Sequence, residues 1–551
     1  MALQPRSRAR HIGAPAILAL ILLLAATLRL AGVHWGLPDS AHPDYSYHPD
    51  EAPTILWARW LAHGTFIAKQ FIYGGTLYYS MLNAYFYYGK LLSPVLSGMG
   101  PMADTIMVGR YFVVLFSLLT IVLIYQTGKR LFDAATGLLA AVFLAISPAH
   151  IFLAQNVRPD EFGTLLLVLL LYLSVLILRG QAAQDRRNFA VTGLALGVAI
   201  ALRFPLAALG IGPVLALLLR EQAATWDARI KALLWWRIPL LVATACIGYA
   251  LASPHTLTHF DWLLRGLQVQ KNYQTAVFAD AVDRGPRVCQ YGWLMLREAL
   301  GTPLYFLALA GLALACVRRT ASRTLVLVLA VVCFLPLTVV SWVVVRYTLP
   351  IVPLVLLLAA DFVVAAARRG RRYRYAVYFA VAGAALWTLL ADAAFLNVET
   401  GRNVRDVAAD WIRGQVSQGA TIVEVQGYVG DVYLNPVIPS GYRCVPYVIS
   451  SGTASQLTAA NSDHDYLVLS GGIYRNMDRL GARNPQQGAY ALQQVLESGR
   501  YRLVAEFVEP VHIFGIDFSG QFASQDYQIV NPGERIYRFE HDQAESPSGR
   551  P

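Results

Sequence analysis

Apolar runs of about twenty residues recur through the first 395 residues of this 551-residue chain, and they constrain its fold more than any other feature. A helical run of that length matches the ~30 Å hydrocarbon core of a bilayer. Charged residues make up 14% of the chain, whereas an ordinary soluble domain has about 25%, and the deficit lies in this first part. The sequence therefore predicts a polytopic helical membrane domain followed by a soluble domain.

We predict about eleven transmembrane helices. The predicted spans are Ala14–Val33, Ile106–Tyr125, Ala134–Leu153, Phe162–Leu178, Phe189–Leu202, Pro205–Leu219, Ile238–Ala252, Thr302–Val317, Leu325–Trp342, Tyr347–Ala366 and Tyr375–Phe395. The first span follows three arginines and is longer than the apolar region of a signal peptide. We interpret it as an uncleaved signal anchor, because no convincing cleavage site follows it.

Two segments have an alternative assignment. Residues 189–219 fit one long helix, but both flanks are basic, so a single crossing would place one basic cluster outside. We therefore predict two short helices that reverse near Arg203-Phe204-Pro205. The segment Gly75–Leu96 is apolar and rich in tyrosine. A crossing there would invert every later span, so we predict a helix lying in the outer interface, where tyrosine is favoured.

Short basic clusters between the apolar runs give the orientation. They contain Lys129 and Arg130; Arg179, Arg186 and Arg187; Arg220, Arg229, Lys231 and Arg237; Arg318, Arg319 and Arg323; and Arg368, Arg369, Arg371, Arg372 and Arg374. With the N-terminus inside, every cluster falls in the cytoplasm, which is the positive-inside pattern. This pattern accounts for the net charge of +11 without a nucleic acid partner. It predicts a multi-pass protein of the inner or plasma membrane whose C-terminal part is extracytoplasmic.

The sequence changes character after Asn397. Helices are predicted over Asn403–Gln415 and Ala489–Glu497 from their apolar periodicity. Strands are predicted at Thr421–Val425, Tyr466–Ser470, Tyr501–Phe507 and Ile536–Phe539. The predicted fold class is a mostly α polytopic membrane protein with a small C-terminal α/β domain. Residues 1–397 form the transmembrane domain, residues 398–540 the α/β domain and residues 541–551 a disordered tail.

Two similar tetrapeptides carry acids at the predicted outer face. His48-Pro49-Asp50-Glu51 follows the first span, and Arg158-Pro159-Asp160-Glu161 lies at the outer end of the third span. Each also fits a plain helix start, because proline and acidic residues favour the first turn. Two such pairs on one face of the membrane are harder to explain in that way, since they can converge on one cleft in the outer leaflet.

Two arginines complete the candidate site. Arg203 lies at the predicted reversal and Arg346 at the outer end of a late span, where the inside-positive bias gives no reason for it. Either arginine alone can also be explained by snorkelling to the interface. Arginines bind a phosphate bidentately and stabilise its growing charge as it leaves, while a carboxylate accepts the proton of an acceptor hydroxyl. With phosphate as the leaving group, one base suffices.

The chain resembles the GT-C superfamily of membrane glycosyltransferases, and most closely the bacterial lipid-carrier-dependent branch related to protein O-mannosyltransferases and aminoarabinose transferases. The resemblance rests on short strings in their order and topological placement: Pro49-Asp50-Glu51, Gly128-Lys129-Arg130-Leu131-Phe132, Leu144-Ala145-Ile146-Ser147-Pro148, Asp160, Arg203-Phe204-Pro205, Ser253-Pro254-His255, and Arg346-Tyr347-Thr348-Leu349-Pro350 with Pro353-Leu354. It implies an enzyme that uses a polyprenyl-phosphate-linked sugar as donor.

The resemblance also implies roles for individual residues. Asp50 matches the catalytic base of the first outer loop, with Glu51 beside it, and Asp160 matches the acid of the second outer loop. Arg203 matches a basic residue, often Lys in the family, that contacts the donor phosphate. We group Arg346 with Arg203 as phosphate-binding, and Asp160, Arg158 and His48 as substrate-binding.

One departure from the family leaves the donor sugar and any metal site open. Tyr73-Gly74-Gly75 stands where related enzymes often carry Glu or Pro-Pro. A divalent metal is one alternative, with His48, Asp50 and Glu51 as candidate ligands.

Two other functions fit the same residues. A transporter or flippase of lipid-linked sugars would use them for binding alone, but it predicts ionisable groups at both faces and throughout the bundle. A non-catalytic envelope-assembly scaffold predicts that the outer acids are dispensable. The sequence leaves open the sugar, the length of the carrier lipid and the acceptor, which is a protein, a lipid or a glycan.

Overall fold

The computed structural model describes residues 13–96, 101–220, 225–275, 285–340, 343–426, 435–449, 457, 465–475 and 487–540. The predicted disordered tail, residues 541–551, lies outside these ranges.

Helices account for nearly all regular structure up to residue 415. They are α1 (Ala14–Ala31), α2 (Glu51–Ala62), α3 (Leu77–Leu96), α4 (Pro101–Leu131), α5 (Ala134–Ala145), α6 (Pro148–Phe152), α7 (Asp160–Arg179), α8 (Asp185–Leu202), α9 (Ile211–Arg220), α10 (Trp226–Ala232), α11 (Ile238–Ala252), α12 (Pro254–Thr258), α13 (Phe260–Thr275), α14 (Arg287–Cys289), α15 (Leu296–Leu300), α16 (Thr302–Val317), α17 (Ala321–Phe334), α18 (Val352–Ala367), α19 (Arg371–Thr400) and α20 (Val404–Gln415). Short 3₁₀ helices at Phe204–Gly210 and Val345–Thr348 carry the segments next to Arg203 and Arg346.

The length and composition of the helices confirm a multi-pass membrane protein. Among the described residues, six helices are long and apolar enough to cross a membrane, and seven if the bent pair Ala134–Ala145 and Pro148–Gln155 forms one span. Three shorter apolar helices, Phe204–Arg220, Thr302–Val317 and Val352–Ala367, match further predicted spans. The remaining predicted span coincides with α8. Every predicted span therefore overlaps a helix, while the number of crossings stays a prediction.

The two segments with alternative assignments form as predicted locally. Helix α8 ends at Leu202, and Arg203 has extended backbone angles of −152° and 118°. Pro205 lies near the start of the 3₁₀ helix that follows, and a proline has no backbone N–H with which to continue α8. The chain resumes in α9, and both α8 and α9 pack against α7. The tyrosine-rich segment forms helix α3, which does not meet the criteria for a span within the described ranges.

The centre of the membrane domain is α18. Twelve of its residues are buried, which leaves it without a lipid-facing side, and it packs against α5, α16, α17 and α19. A helix that is apolar all round belongs in the interior of a bundle. The segment that carries Arg346 leads directly into this largely buried helix.

The C-terminal domain is a small α/β unit. Its strands are β1 (Thr421–Gln426), β2 (Arg443–Val448), β3 (Tyr466–Ser470), β4 (Tyr501–Phe507), β5 (His512–Ile513), β6 (Ile516–Asp517) and β7 (Glu534–Phe539). A five-stranded sheet has the order β2-β1-β3-β7-β4, with β1 parallel to β2 and β3, and β7 antiparallel to β3 and β4. β5 and β6 form a separate hairpin. Short helices follow at Gly471–Tyr474, Gln487–Glu497 and Gln525–Gln528.

Both faces of this sheet are covered by helices. Successive side chains of a strand point to opposite faces. On β1, Val423 and Val425 pack on one side with Leu492 of helix Gln487–Glu497. Ile422 packs on the other side with Ile412 of α20. The predicted helices and strands of the domain are all present, and β2 and the β5–β6 hairpin are additional.

Candidate active site

The two acid-bearing loops meet in the structure through Arg158. Its Nη1 donates to Asp50 Oδ2, and its Nε donates to Asp160 Oδ2 at 3.0 Å. Asp50 immediately precedes α2, and Asp160 is the first residue of α7. The arginine therefore joins residues that are 108 positions apart in the sequence.

Helix capping does not account for the contacts of these two acids. Asp50 is the N-cap residue of α2, yet its side chain makes no capping hydrogen bond. The N-cap of α7 is Pro159, and the carboxylate of Asp160 bonds to arginines. The positive end of each helix still favours a carboxylate in its first turn. The simpler interpretation of the two tetrapeptides thus explains where the acids lie but not what they contact.

Arg203 joins the group through the second oxygen of Asp160. Its Nη1 lies 2.8 Å from Asp160 Oδ1. The break between α8 and the following 3₁₀ helix gives Arg203 its position, and its backbone N–H still bonds to Ala199 O at 2.8 Å. Asp160 is thus held between Arg158 and Arg203, which aligns the two guanidinium groups.

The segment Tyr73-Gly74-Gly75 lies directly against this break. The N–H of Phe204 donates to Tyr73 O at 3.0 Å, and the Arg203 guanidinium carbon lies 5.6 Å from the centre of the Tyr73 ring. Gly74 has a φ of +106°, and a Cβ there would lie 2.6 Å from the Phe204 ring. A residue with a side chain would push the loop away from Arg203, so the glycine permits this close approach.

Arg346 acts electrostatically on the site. Burial lowers the pKa of its guanidinium, but Asp526 and smaller contributions from nearby groups, Asp160 and Tyr73 among them, together outweigh this effect, so the pKa is raised. Burial raises the pKa of the Tyr73 phenol to about 12, with smaller effects from Arg203, Asp160 and Arg346. The Tyr73 phenol is therefore neutral at neutral pH.

Asp526 is the counter-ion of Arg346. Its Oδ1 accepts from Nη1 at 2.8 Å and its Oδ2 accepts from the backbone N–H of the same arginine at 2.9 Å. Asp526 belongs to the C-terminal domain, in the short helix Gln525–Gln528. No pattern in the sequence predicts this partner, because Asp526 lies in a short polar stretch that resembles an ordinary helix start.

The three acids of the cluster differ sharply in exposure. The side chain of Asp50 is 46% exposed, whereas those of Asp160 and Asp526 are 1% and 3% exposed. Arg158 and Arg346 are buried, and Arg203 keeps 19% of its side-chain surface exposed. Asp50 is thus the acid that a molecule arriving from solution or from the membrane surface would meet.

Glu51 points away from Asp50 and is fully buried. Arg110 donates to both of its oxygens, at 2.9 and 2.7 Å. The Ser46 hydroxyl and the Val157 backbone N–H also donate to it, at 2.6 and 2.9 Å. Glu51 therefore fastens the first outer loop to α4 and to the second acid-bearing loop. The sequence analysis did not identify Arg110, which occupies a position inside a predicted span.

His48 supports the backbone of Asp50. Its Nδ1 lies 3.2 Å from the Asp50 backbone nitrogen and accepts its N–H. Burial lowers the pKa of this imidazole well below its usual value, and Arg158, Arg346 and Arg110 act in the same direction. A neutral imidazole with its Nδ1 engaged is consistent with a brace for the loop.

The three candidate metal ligands do not converge. Glu51 uses both oxygens on Arg110, and His48 Nδ1 is engaged by the Asp50 N–H. Within the described residues, no group of three or more His, Cys, Asp or Glu side chains is arranged to hold a metal ion. These residues do not fit a divalent metal in the arrangement seen here.

Comparisons with known proteins extend the sequence resemblance. Residues 102–256 match the family model described as dolichyl-phosphate-mannose-protein mannosyltransferase. The chain is similar in fold to ArnT from Cupriavidus metallidurans bound to undecaprenyl phosphate, with a TM-score of 0.50 and 12% identity over 95% of this chain and 97% of that one. It is also similar to the apo oligosaccharyltransferase of Archaeoglobus fulgidus, with a TM-score of 0.48 and 12% identity over 95% of this chain and 78% of that one. No curated protein matches the sequence.

The family match covers the part of the chain that carries Arg158, Asp160 and Arg203. The fold shared with ArnT extends over nearly the whole of both chains. The sequence match and the shared fold agree with the resemblance of the sequence to the GT-C superfamily of membrane glycosyltransferases.

Proposed function

We propose that this enzyme transfers a sugar from a polyprenyl-phosphate donor to an acceptor hydroxyl at the extracytoplasmic face of the membrane. The observation that carries the proposal is that Arg158 and Arg203 share the buried Asp160, while the exposed Asp50 contacts Arg158. Arg346, paired with the buried Asp526, acts electrostatically on Asp160. A glycosyltransferase with a phosphate leaving group needs those two elements, a cationic phosphate site and an accessible base.

The arginines suit a lipid phosphate. In the absence of donor, buried carboxylates occupy the guanidinium groups: Asp160 bridges Arg158 and Arg203, and Asp526 bonds Arg346. With Asp50 on Arg158, three carboxylates balance three guanidinium groups. The buried arginines are therefore stable without a ligand, because buried ions must be paired. An incoming phosphate adds charge-assisted hydrogen bonds to arginines that already have fixed positions, at little cost of reorganisation.

Asp50 is the proposed base. Arg158 contacts its Oδ2, and nearly half of the side chain is exposed. In the proposed reaction the acceptor oxygen forms a bond to the anomeric carbon as the bond from that carbon to the phosphate oxygen breaks. The hydroxyl proton passes to Asp50, and the bonding electrons leave with the polyprenyl phosphate. One displacement of this kind inverts the anomeric centre.

The remaining predicted residues serve the site indirectly in this proposal. His48 and Glu51 fix the loop that presents Asp50, and Asp160 holds Arg158 and Arg203. No step uses a metal ion, because the candidate ligands do not converge. Two comparisons support the choice of donor: the matched family is named for dolichyl-phosphate-mannose, and the structure of ArnT contains undecaprenyl phosphate.

The direct test is a donor panel. We expect purified protein to release polyprenyl phosphate from one member of a set of polyprenyl-phosphate sugars when an acceptor extract is present, and to give a product of inverted anomeric configuration. Proton NMR of the anomeric signal reads the configuration. A product of retained configuration excludes the single displacement. Movement of the intact donor across vesicles without release of phosphate indicates a flippase instead.

Orientation is a second expected result. The acids and the C-terminal domain lie on the same side, because Asp526 contacts Arg346 and Asp406 accepts a hydrogen bond from Tyr47. Alkaline phosphatase fused after Glu540 should therefore be active, since this reporter matures only outside the cytoplasm. The matched control is a fusion after Arg369 in the basic loop between α18 and α19, which should be inactive. The reverse pair of activities would put every site residue in the cytoplasm.

A further inference from the structure

The C-terminal domain places a buried carboxylate next to a proposed phosphate-binding arginine. We propose that Asp526 is a positioning residue for the donor site, so that docking of the C-terminal domain completes the site on the membrane domain. This inference rests on the proposed function, in which Arg346 binds the donor phosphate. It gives the C-terminal domain a role that neither the sequence nor the matched part of the chain assigns.

Two hydrogen bonds to one residue restrict the side chain of Arg346. Asp526 accepts from both the backbone N–H and the guanidinium Nη1. These bonds close a ring that includes the whole arginine side chain, so they limit its rotamers. A long arginine side chain loses rotamer entropy when it is fixed. Because Asp526 fixes the arginine when the protein folds, this entropy is lost before the donor binds.

The segment that carries Asp526 is docked by other contacts. Gln521 Oε1 accepts from the N–H and the hydroxyl of Thr302, at 3.1 and 2.9 Å. Its Nε2 donates to the carbonyl oxygens of Arg297 and Glu298, at 3.1 Å each. The backbone N–H of Ser524 donates to Glu298 Oε2 at 3.0 Å. These bonds fix residues 521–524 on α15 and α16 without the help of Asp526.

Aromatic packing supplies the rest of the docking. The Phe522 ring stacks on Phe395 of α19 with centroids 4.6 Å apart. Tyr527 packs against Phe152 at 5.2 Å. Apolar contacts of this size provide most of the stability of such an interface. Other groups therefore dock this segment on the membrane domain. The two hydrogen bonds of the Asp526 carboxylate restrict the side chain of Arg346 instead.

The physical consequence is a coupling between the domain and the donor. Arg346 acts electrostatically on Asp160 and Tyr73, and its two hydrogen bonds to Asp526 hold the side chain in the position from which it does so. Loss of the carboxylate leaves Arg346 charged but unrestrained by these two bonds. The donor phosphate then has to order the arginine itself, which weakens binding without removing the positive charge.

A double-mutant cycle on Arg346 and Asp526 tests the inference in the full-length protein. We expect Asp526→Asn to raise the KM for a polyprenyl-phosphate sugar by about ten- to a hundredfold, the size of one charged hydrogen bond, with a smaller change in kcat. Arg346→Ala should be at least as severe. The double variant should be no worse than Arg346→Ala, because Asp526 acts through that arginine. A purely structural role would lower the yield of folded protein and leave the donor KM of the folded fraction unchanged.

Asp410→Asn is the matched control. Asp410 pairs with Arg402 and Arg413 in the same domain, and it is 41% exposed. Its loss should leave the donor KM unchanged. If Asp526→Asn yields too little folded protein, Asp526→Glu keeps the charge and moves the carboxylate by one methylene, and it should raise the donor KM by a smaller factor.

The outcomes separate this inference from the proposed function. If Arg346→Ala raises the donor KM while both Asp526 variants behave as wild type, the positioning role is wrong and the phosphate site stands. If the effects of Arg346→Ala and Asp526→Asn multiply, the role is again wrong. If Arg346→Ala itself leaves donor use unchanged, the assignment of Arg346 to the phosphate fails, and the inference fails with it.

Discussion

Asp50→Asn is expected to lower the rate of sugar transfer by about 10²- to 10⁴-fold, which is the contribution of a positioned general base. The variant keeps the size of the side chain, and an amide oxygen can still accept a hydrogen bond from Arg158. It cannot take a proton from an acceptor hydroxyl at neutral pH. Because Asp50 is 46% exposed and makes no capping bond, the substitution should leave the yield of folded protein unchanged.

Two acids nearby serve as controls for this result. Asp44 lies in the same outer loop and is exposed, so Asp44→Asn should transfer sugar at the normal rate. Glu51→Gln removes the negative charge that pairs with the buried guanidinium of Arg110. Breaking a buried ion pair costs about 3–5 kcal/mol. Its effect should therefore fall on the amount of folded protein, measured by size-exclusion chromatography in detergent.

A different pattern would reassign the base. If the Asp50→Asn variant transfers sugar at the normal rate and the Asp160→Asn variant transfers none, the proton acceptor is the buried Asp160. The protein would still be a glycosyltransferase in that case, but the exposure of Asp50 would no longer identify the base. Steady-state rates with saturating donor and acceptor separate a loss of chemistry from a loss of binding.

The features that the sequence predicts well are those that depend on local patterns. Each predicted span overlaps a helix because a helix that crosses the bilayer needs a minimum apolar length, and such a run can be recognised from the local sequence alone. The break at Arg203-Phe204-Pro205 follows from proline geometry together with the basic flanks. In the C-terminal domain, β3 and β4 have the predicted bounds. A short continuous apolar run marks the buried β3, and apolar residues at alternate positions mark β4.

Strand β2 escaped prediction for a physical reason. It lies at the edge of the sheet, next to β1 alone. Its first residues are largely exposed, and Pro446 interrupts the pattern. An edge strand tolerates a proline and needs few apolar residues, since one side of its backbone has no partner strand. Its sequence therefore resembles a loop.

The site was predictable in part for a related reason. Asp50, Arg158 and Asp160 sit in recognisable strings at predicted span ends, so topology alone brings them to one face. Asp526 and Arg110 belong to no such string. Asp526 meets Arg346 across 180 residues of sequence, and Arg110 meets Glu51 from the middle of α4. Such pairs depend on tertiary packing, which a single sequence does not reveal.

Arg203→Ala is expected to lower kcat/KM for the donor by some tens- to several-hundredfold, since a lost charged donor to a phosphate costs roughly 2–4 kcal/mol. The protein should fold, because Asp160 keeps its bond to Arg158 at 3.0 Å. The helix break also survives, since Pro205 and the contact between Phe204 and Tyr73 are unchanged.

Arg203→Lys separates charge from geometry at the same position. Lysine keeps the positive charge but has no planar fork, so it cannot bond Asp160 and a phosphate in parallel. We expect a loss smaller than that of Arg203→Ala. Arg265→Ala is the matched control, because Arg265 in α13 is 62% exposed and pairs only weakly, at 3.8 Å, with Asp261. If the Arg203→Ala variant binds and uses the donor normally while the Arg265→Ala variant does not, the phosphate lies over α13. The cluster around Asp160 would then be a structural ion network.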